Sequence, residues 1–104
     1  MLLYNKYRKD GFDMAMMAAW LRVDGEHVVQ DLQEAGGKLD TADGELVLDF
    51  SSVHRIDPSA VRAMETLAGA ADEQSIKLVL RGVNVEIYKV LKLVKLARRF
   101  SFLT

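Results

Sequence analysis

Leu46-Val47-Leu48-Asp49-Phe50-Ser51-Ser52-Val53-His54-Arg55-Ile56-Asp57-Pro58-Ser59-Ala60-Val61 is the stretch whose reading decides the fold. With Glu45 before it, the run to Phe50 is short and mostly apolar, as expected of an interior strand buried on both faces. Asp49 falls at the C-terminal end of that strand, where open α/β sheets carry their working loops. Asp57-Pro58 then marks a helix start: the carboxylate accepts from free first-turn amides, and proline at the first helical position loses no needed donor. A strand that feeds a helix through a short loop points to an α/β domain with parallel pairs.

Working outward, the helix is expected to run to about Asp72, with Val61, Met64, Ala68 and Ala71 on one face. Lys77-Leu78-Val79-Leu80-Arg81, closed by Gly82, reads as the next buried strand. A last helix has Ile87, Val90, Leu91 and Val94 as its i, i+3, i+4, i+7 stripe, leaving Lys89, Lys92 and Lys95 outside. Arg99–Leu103 is a final short strand or a helix-packing tail. Toward the N-terminus, Asp24 is expected to cap a helix burying Val28, Leu32 and Ala35, ended by Gly36-Gly37 through a residue at positive φ. Before it, Leu2–Tyr7 and Phe12–Met17 read as strands of a hairpin turning at Asp10-Gly11. Met14, Met16 and Met17 are expected to fill core space or cover a sheet face. The order β-β-α-β-α-β-α describes one domain over residues 1–104, of α/β class, with a mixed sheet and helices packed against it.

Composition sets limits on function. The 104 residues are 50% apolar and 28% charged, with a net charge of −1, which suits one soluble globule and leaves no apolar run long enough to cross a bilayer. The absence of cysteine rules out a disulfide framework or a thiolate metal site. The opening Met-Leu-Leu-Tyr-Asn-Lys has no secretory pattern, so a cytoplasmic location is expected. Residues 1–52 sum to −5 and residues 53–104 to +4. That asymmetry suits solvated helix faces or a protein-docking surface; the bases near the C-terminus are too few and too interrupted for nucleic acid.

Catalytic constellations are missing from the sequence. There is no nucleophile elbow, phosphate loop, His-x-x-x-His pair or dinucleotide fingerprint. His27 and His54 read as surface or half-buried side chains, and Asp72/Glu73 as a hydrated helix end. No enzyme activity, cofactor or metal is expected. Ser59 stands apart because it falls in the first turn of a helix, where free amides and the positive dipole end favour a phosphate. Phosphorylation there would add about −1.5 to −2 charge beside Asp57. The plainer reading is a first-turn serine backing up the Asp57 cap.

The stretch 46–61, with Ile76–Val83 and Val90–Leu96, resembles the STAS domain family of anti-sigma factor antagonists. That pattern is a strand ending in Leu-Asp-hydrophobic-Ser, a loop, Asp-Ser-Ser-Gly at a helix start, a strand ending near Gly, and a helix with a Leu-rich end. The resemblance implies a non-enzymatic module in signal transduction and transcription regulation that binds an anti-sigma factor or serine kinase. It would do so through Asp57, Pro58, Ser59, Ala60 and Arg62. Ser59 matches the second serine of Asp-Ser-Ser-Gly, the one a partner kinase phosphorylates, and Asp57 matches the aspartate. Pro58 replaces the first serine and Ala60 the glycine. The family also contains a branch similar to the small cytoplasmic subunit of bacterial lipid-transport ATP-binding-cassette complexes, which implies an ABC transporter ATPase as the alternative partner. Neither branch implies nucleic acid or membrane insertion; a homodimer is compatible with both.

Overall fold

A computed structural model describes residues 3–5 and 19–103, with side chains from residue 19 onward. Five strands form one sheet in the order β1 (Leu3–Asn5), β2 (Ala19–Arg22), β3 (Glu45–Asp49), β4 (Lys77–Arg81), β5 (Ser101–Leu103). Strand β1 pairs antiparallel with β2, Leu3 opposite Leu21, and the other neighbours pair parallel. The strand paired with β1 is Ala19–Arg22, a segment not expected to be a strand, rather than the expected Phe12–Met17; the expected Asp10-Gly11 turn, the segment Phe12–Met17 and the three methionines within it lie outside the described residues.

Parallel neighbours need crossovers, supplied by α1 (Val28–Gly37), α2 (Pro58–Glu73) and α3 (Val85–Leu93). Right-handed crossovers between sequential neighbours put all helices on one face of the sheet. Burial agrees. Leu21, Leu46, Leu48, Leu78 and Leu80 share one core with Leu32, Met64, Leu67, Ile87 and Leu91, whereas Trp20, Val47 and Val79 form a separate buried cluster. Each fully buried leucine contributes about 1.5–3 kcal/mol. The two apolar faces explain why β3 and β4 read as continuous hydrophobic runs rather than alternating ones.

Several local expectations are corrected. Asp24 does not cap α1; the N-cap is His27, without a side-chain cap bond. Asp24 instead closes a turn ahead of the helix: its Oδ1 accepts from the Glu26 N–H at 2.8 Å, and its own N–H donates to Asp31 Oδ2 at 2.8 Å. Asp31 is the buried acid of α1, 6% exposed. Neither Gly36 nor Gly37 takes a positive φ; the chain leaves α1 through a 3-10 turn, Leu39–Thr41, that buries Leu39. The buried stripe of α2 adds Ala60 and Leu67, with Val61 half-buried. Val94 is exposed, because α3 stops at Leu93 and the Leu96 N–H bonds back to the Leu91 carbonyl at 2.8 Å, putting Leu96 in the core instead. Lys95 takes φ 64° in that turn. The final segment is a strand, β5, preceded by a 3-10 turn at Ala97–Arg99.

Candidate functional site

All three βα loops open at the C-terminal edge of the parallel strands, and the Ser51-Ser52 turn after β3 is their hub. The Val53 N–H closes that turn on the Phe50 carbonyl at 2.9 Å, and the Ser52 hydroxyl donates to the Val23 carbonyl at 3.0 Å in the β2–α1 loop. Gly25 lies so close that a Cβ there would sit 2.3 Å from the Ser52 carbonyl oxygen. On the other side, Gly82 takes φ +75°, and a Cβ there would sit 3.0–3.2 Å from Ser51. The two glycines therefore let the flanking loops close on the turn from both sides.

Asp49 supports the hub from below. Its Oδ1 accepts from the Ser51 N–H at 3.0 Å and lies 3.7 Å from Arg81, while Arg22 is its register partner on β2. Burial works against the carboxylate charge, but the hydrogen bonds from Ser51 and the two neighbouring arginines outweigh it and hold the carboxyl below the ordinary range. Arg81 also stands over the Trp20 ring, 5.5 Å from its centroid.

From this hub the loop runs to α2. Asp57 Oδ1 accepts from the Ala60 N–H at 2.8 Å and Pro58 opens the helix, as read from sequence. Asp57, Pro58, Ser59 and Arg62 are exposed and adjacent; Ala60 is 1% exposed and faces the core, so its side chain is no outward contact surface. Arg62 Nη2 lies 3.5 Å from Ser59 Oγ, a long contact that sets a positive charge beside the hydroxyl. An open cavity of about 740 Å³ separates this helix start from the first turn of α1, with His27, Val28, Gln30, Arg55 and Ile56 on its walls.

Asn84 has a role that sequence analysis does not assign it. Its Oδ1 caps α3 by accepting from the Ile87 N–H at 2.8 Å, and its Nδ2 donates to the His54 carbonyl at 2.9 Å. The signal for the cap was present, an asparagine just before an apolar periodic run; the tie to His54 has no local signature. Gly25 likewise meets a turn far away in sequence. Among the described residues no group of three or more His, Asp or Glu converges as metal ligands, and no helix is long and apolar enough to cross a membrane.

The mixed sheet with helices packed against it is the α/β architecture the sequence resemblance implied. A family model described as "Mlab, STAS domain" matches residues 14–104. The chain belongs to this STAS domain family. Solved structures share the STAS fold at low identity. A candidate anti-sigma factor antagonist from Thermotoga maritima, TM1081, superposes with a TM-score of 0.68 at 15% identity, covering 96% of this chain and 84% of that one. The NMR structure of TM1081 gives 0.70 at 16%, covering 99% and 81%. The anti-sigma factor antagonist SpoIIAA in its unphosphorylated form gives 0.63 at 12%, covering 99% and 89%. No curated protein matches the chain significantly.

Proposed function

We propose that this STAS domain is a non-enzymatic partner-switching module whose working surface is the exposed start of α2, from Asp57 to Arg62, with the groove beside it. The observation that carries the reading is Ser59: it is exposed in the first helical turn, and the only side-chain hydrogen-bond contact of its hydroxyl among the described residues is the long one from Arg62. A hydroxyl with so little structural work is free for modification or contact. Unmodified, the surface binds an anti-sigma-type serine kinase or related regulator in the cytoplasm. A phosphate on Ser59 adds about −1.5 to −2 charge beside Asp57 and repels an acidic partner surface.

The test is incubation with ATP and an anti-sigma-type serine kinase from the same genome, followed by mass spectrometry and a binding assay. One phosphate on Ser59 with loss of binding is the expected result. Binding and release that proceed normally without modification would sink the switch and leave a binding module.

A second reading, a STAS subunit bound constitutively to the ATPase of a lipid-transport ATP-binding-cassette complex, is favoured by Pro58 and Ala60, which depart from Asp-Ser-Ser-Gly, and by the match to an MlaB-type model. A pull-down that recovers such an ATPase, with no release on adding ATP, selects it.

A further inference from the structure

We infer that the outer edge formed by α3 and β5 is a second docking site, shaped to take an extended acidic segment of a partner protein as an added strand on β5. All five large apolar side chains that stand exposed among the described residues fall in this one unit: Val85 (65%), Tyr88 (41%), Leu93 (82%), Val94 and Leu103 (46%). Three of them, Val85, Tyr88 and Leu103, join Val83 and Phe102 around an open cavity of about 270 Å³. Tyr88 stands edge-on to Phe102 with centroids 5.1 Å apart, which gives the cavity a stiff aromatic wall. Strand β5 ends the sheet order, so its far side carries no strand among the described residues. Unpaired backbone groups along an edge strand are a template for another chain.

Charge selects the occupant. Val85, Tyr88, Lys89 and Lys92 share the i, i+3, i+4, i+7 stripe of α3, opposite the buried Ile87 and Leu91, and Lys92 Nζ lies 5.9 Å from the Tyr88 centroid. From residue 85 to 103 the sequence has five bases and one acid; of the bases, Arg99 is committed to Asp72 at 2.6 Å. A second copy would bring like charges together at this edge. A lipid surface would meet the lysines but could not pair with the backbone of β5. An acidic peptide with apolar side chains at alternate positions satisfies all three features: the edge, the cavity and the lysines. This surface is separate from Ser59 and from the α2 start.

The test uses a random peptide library displayed on phage, selected on the full chain, with the enriched peptide then measured by fluorescence anisotropy. Acidic peptides with alternating apolar residues are expected. Their affinity should fall about tenfold or more in Tyr88→Ser and in the double variant Lys89→Glu/Lys92→Glu, since aromatic anchors dominate such sites and rim charges steer them. All the altered side chains are exposed, and circular dichroism checks the fold. Ser59→Asp should leave the affinity unchanged, which separates this site from the proposed switch. Enriched peptides without acidic character, or an affinity indifferent to these variants, would overturn the inference. So would phosphatidylglycerol vesicles binding in place of any peptide, or a dimer in sedimentation that Leu103→Asp breaks.

Discussion

Asn84 and His54 are joined across 30 positions of sequence by one hydrogen bond, 2.9 Å from the amide nitrogen to the carbonyl, while the same side chain caps α3 with its oxygen. One residue thus sets where α3 begins and where the loop leading to Ser59 runs. Each half of the amide has a separate task, so the two can be dissected by substitution.

Asn84→Ala removes cap and tie together and should cost about 1–2 kcal/mol in urea denaturation. Asn84→Asp keeps the acceptor and loses the donor. It should keep most of the stability while shifting the amide resonances of residues 53–59 in NMR spectra.

Gly25→Ala should destabilise by about 1–3 kcal/mol or more, because its Cβ would meet a backbone carbonyl at 2.3 Å and neither atom lies on a flexible side chain. Gly82→Ala adds left-handed strain to a tighter than ordinary contact and should cost about 1–3 kcal/mol. Denaturation midpoints check both.

Asp57→Ala should cost about 0.5–2 kcal/mol by freeing the Ala60 amide, and Asp57→Ser should recover most of it. Ser59→Ala, by contrast, should stay within about 0.5 kcal/mol of the parent, since the side chain is exposed. A stable Ser59→Ala protein that can no longer be released from its partner would separate function from folding at adjacent positions.

Acid stability should depend on Asp49. Its carboxyl is held below the ordinary unfolded aspartate value of about 3.9 in the fold. The stabilisation from its charge is therefore fully present above that unfolded value and is lost as the pH falls through the lower folded one. Asp49→Asn should flatten this acid limb of the stability curve. An unchanged slope in the variant would show that the Ser51 and arginine contacts do not hold the charge.

Lys95 sits at φ 64° in the turn that returns Leu96 to the core. Lys95→Gly relieves the left-handed strain at the cost of unfolded-chain freedom and should stabilise by up to about 1 kcal/mol, read from the melting temperature. The basic rim near Tyr88 would remain through Lys89 and Lys92.

The parts legible in sequence were those whose cause is local. Strands β3 and β4 follow from compact apolar runs, and the start of α2 follows from Asp57-Pro58, because pairing pattern and capping chemistry are set within a few residues. The STAS resemblance rests on these stretches together with Val90–Leu96, and Ser59 on the start of α2. Nonlocal contacts decided the rest. Asp24 resembles a helix cap in sequence, yet it closes a turn whose N–H is held by buried Asp31; Val94 fits an apolar stripe, yet the helix ends before it and Leu96 takes its place in the core. Gly25 against Ser52 and Asn84 against His54 join residues 27 and 30 positions apart. No periodicity or propensity reports such a pair. Sequence alone therefore determined β3, β4, the start of α2 and where the candidate serine lies, whereas strand β2 at Ala19–Arg22 and the choice of a strand for Ser101–Leu103 came only with the sheet. Tertiary structure decided how three loops lock around one turn to present it, because steric closeness and hydrogen bonds between distant segments exist only once the sheet brings those segments together.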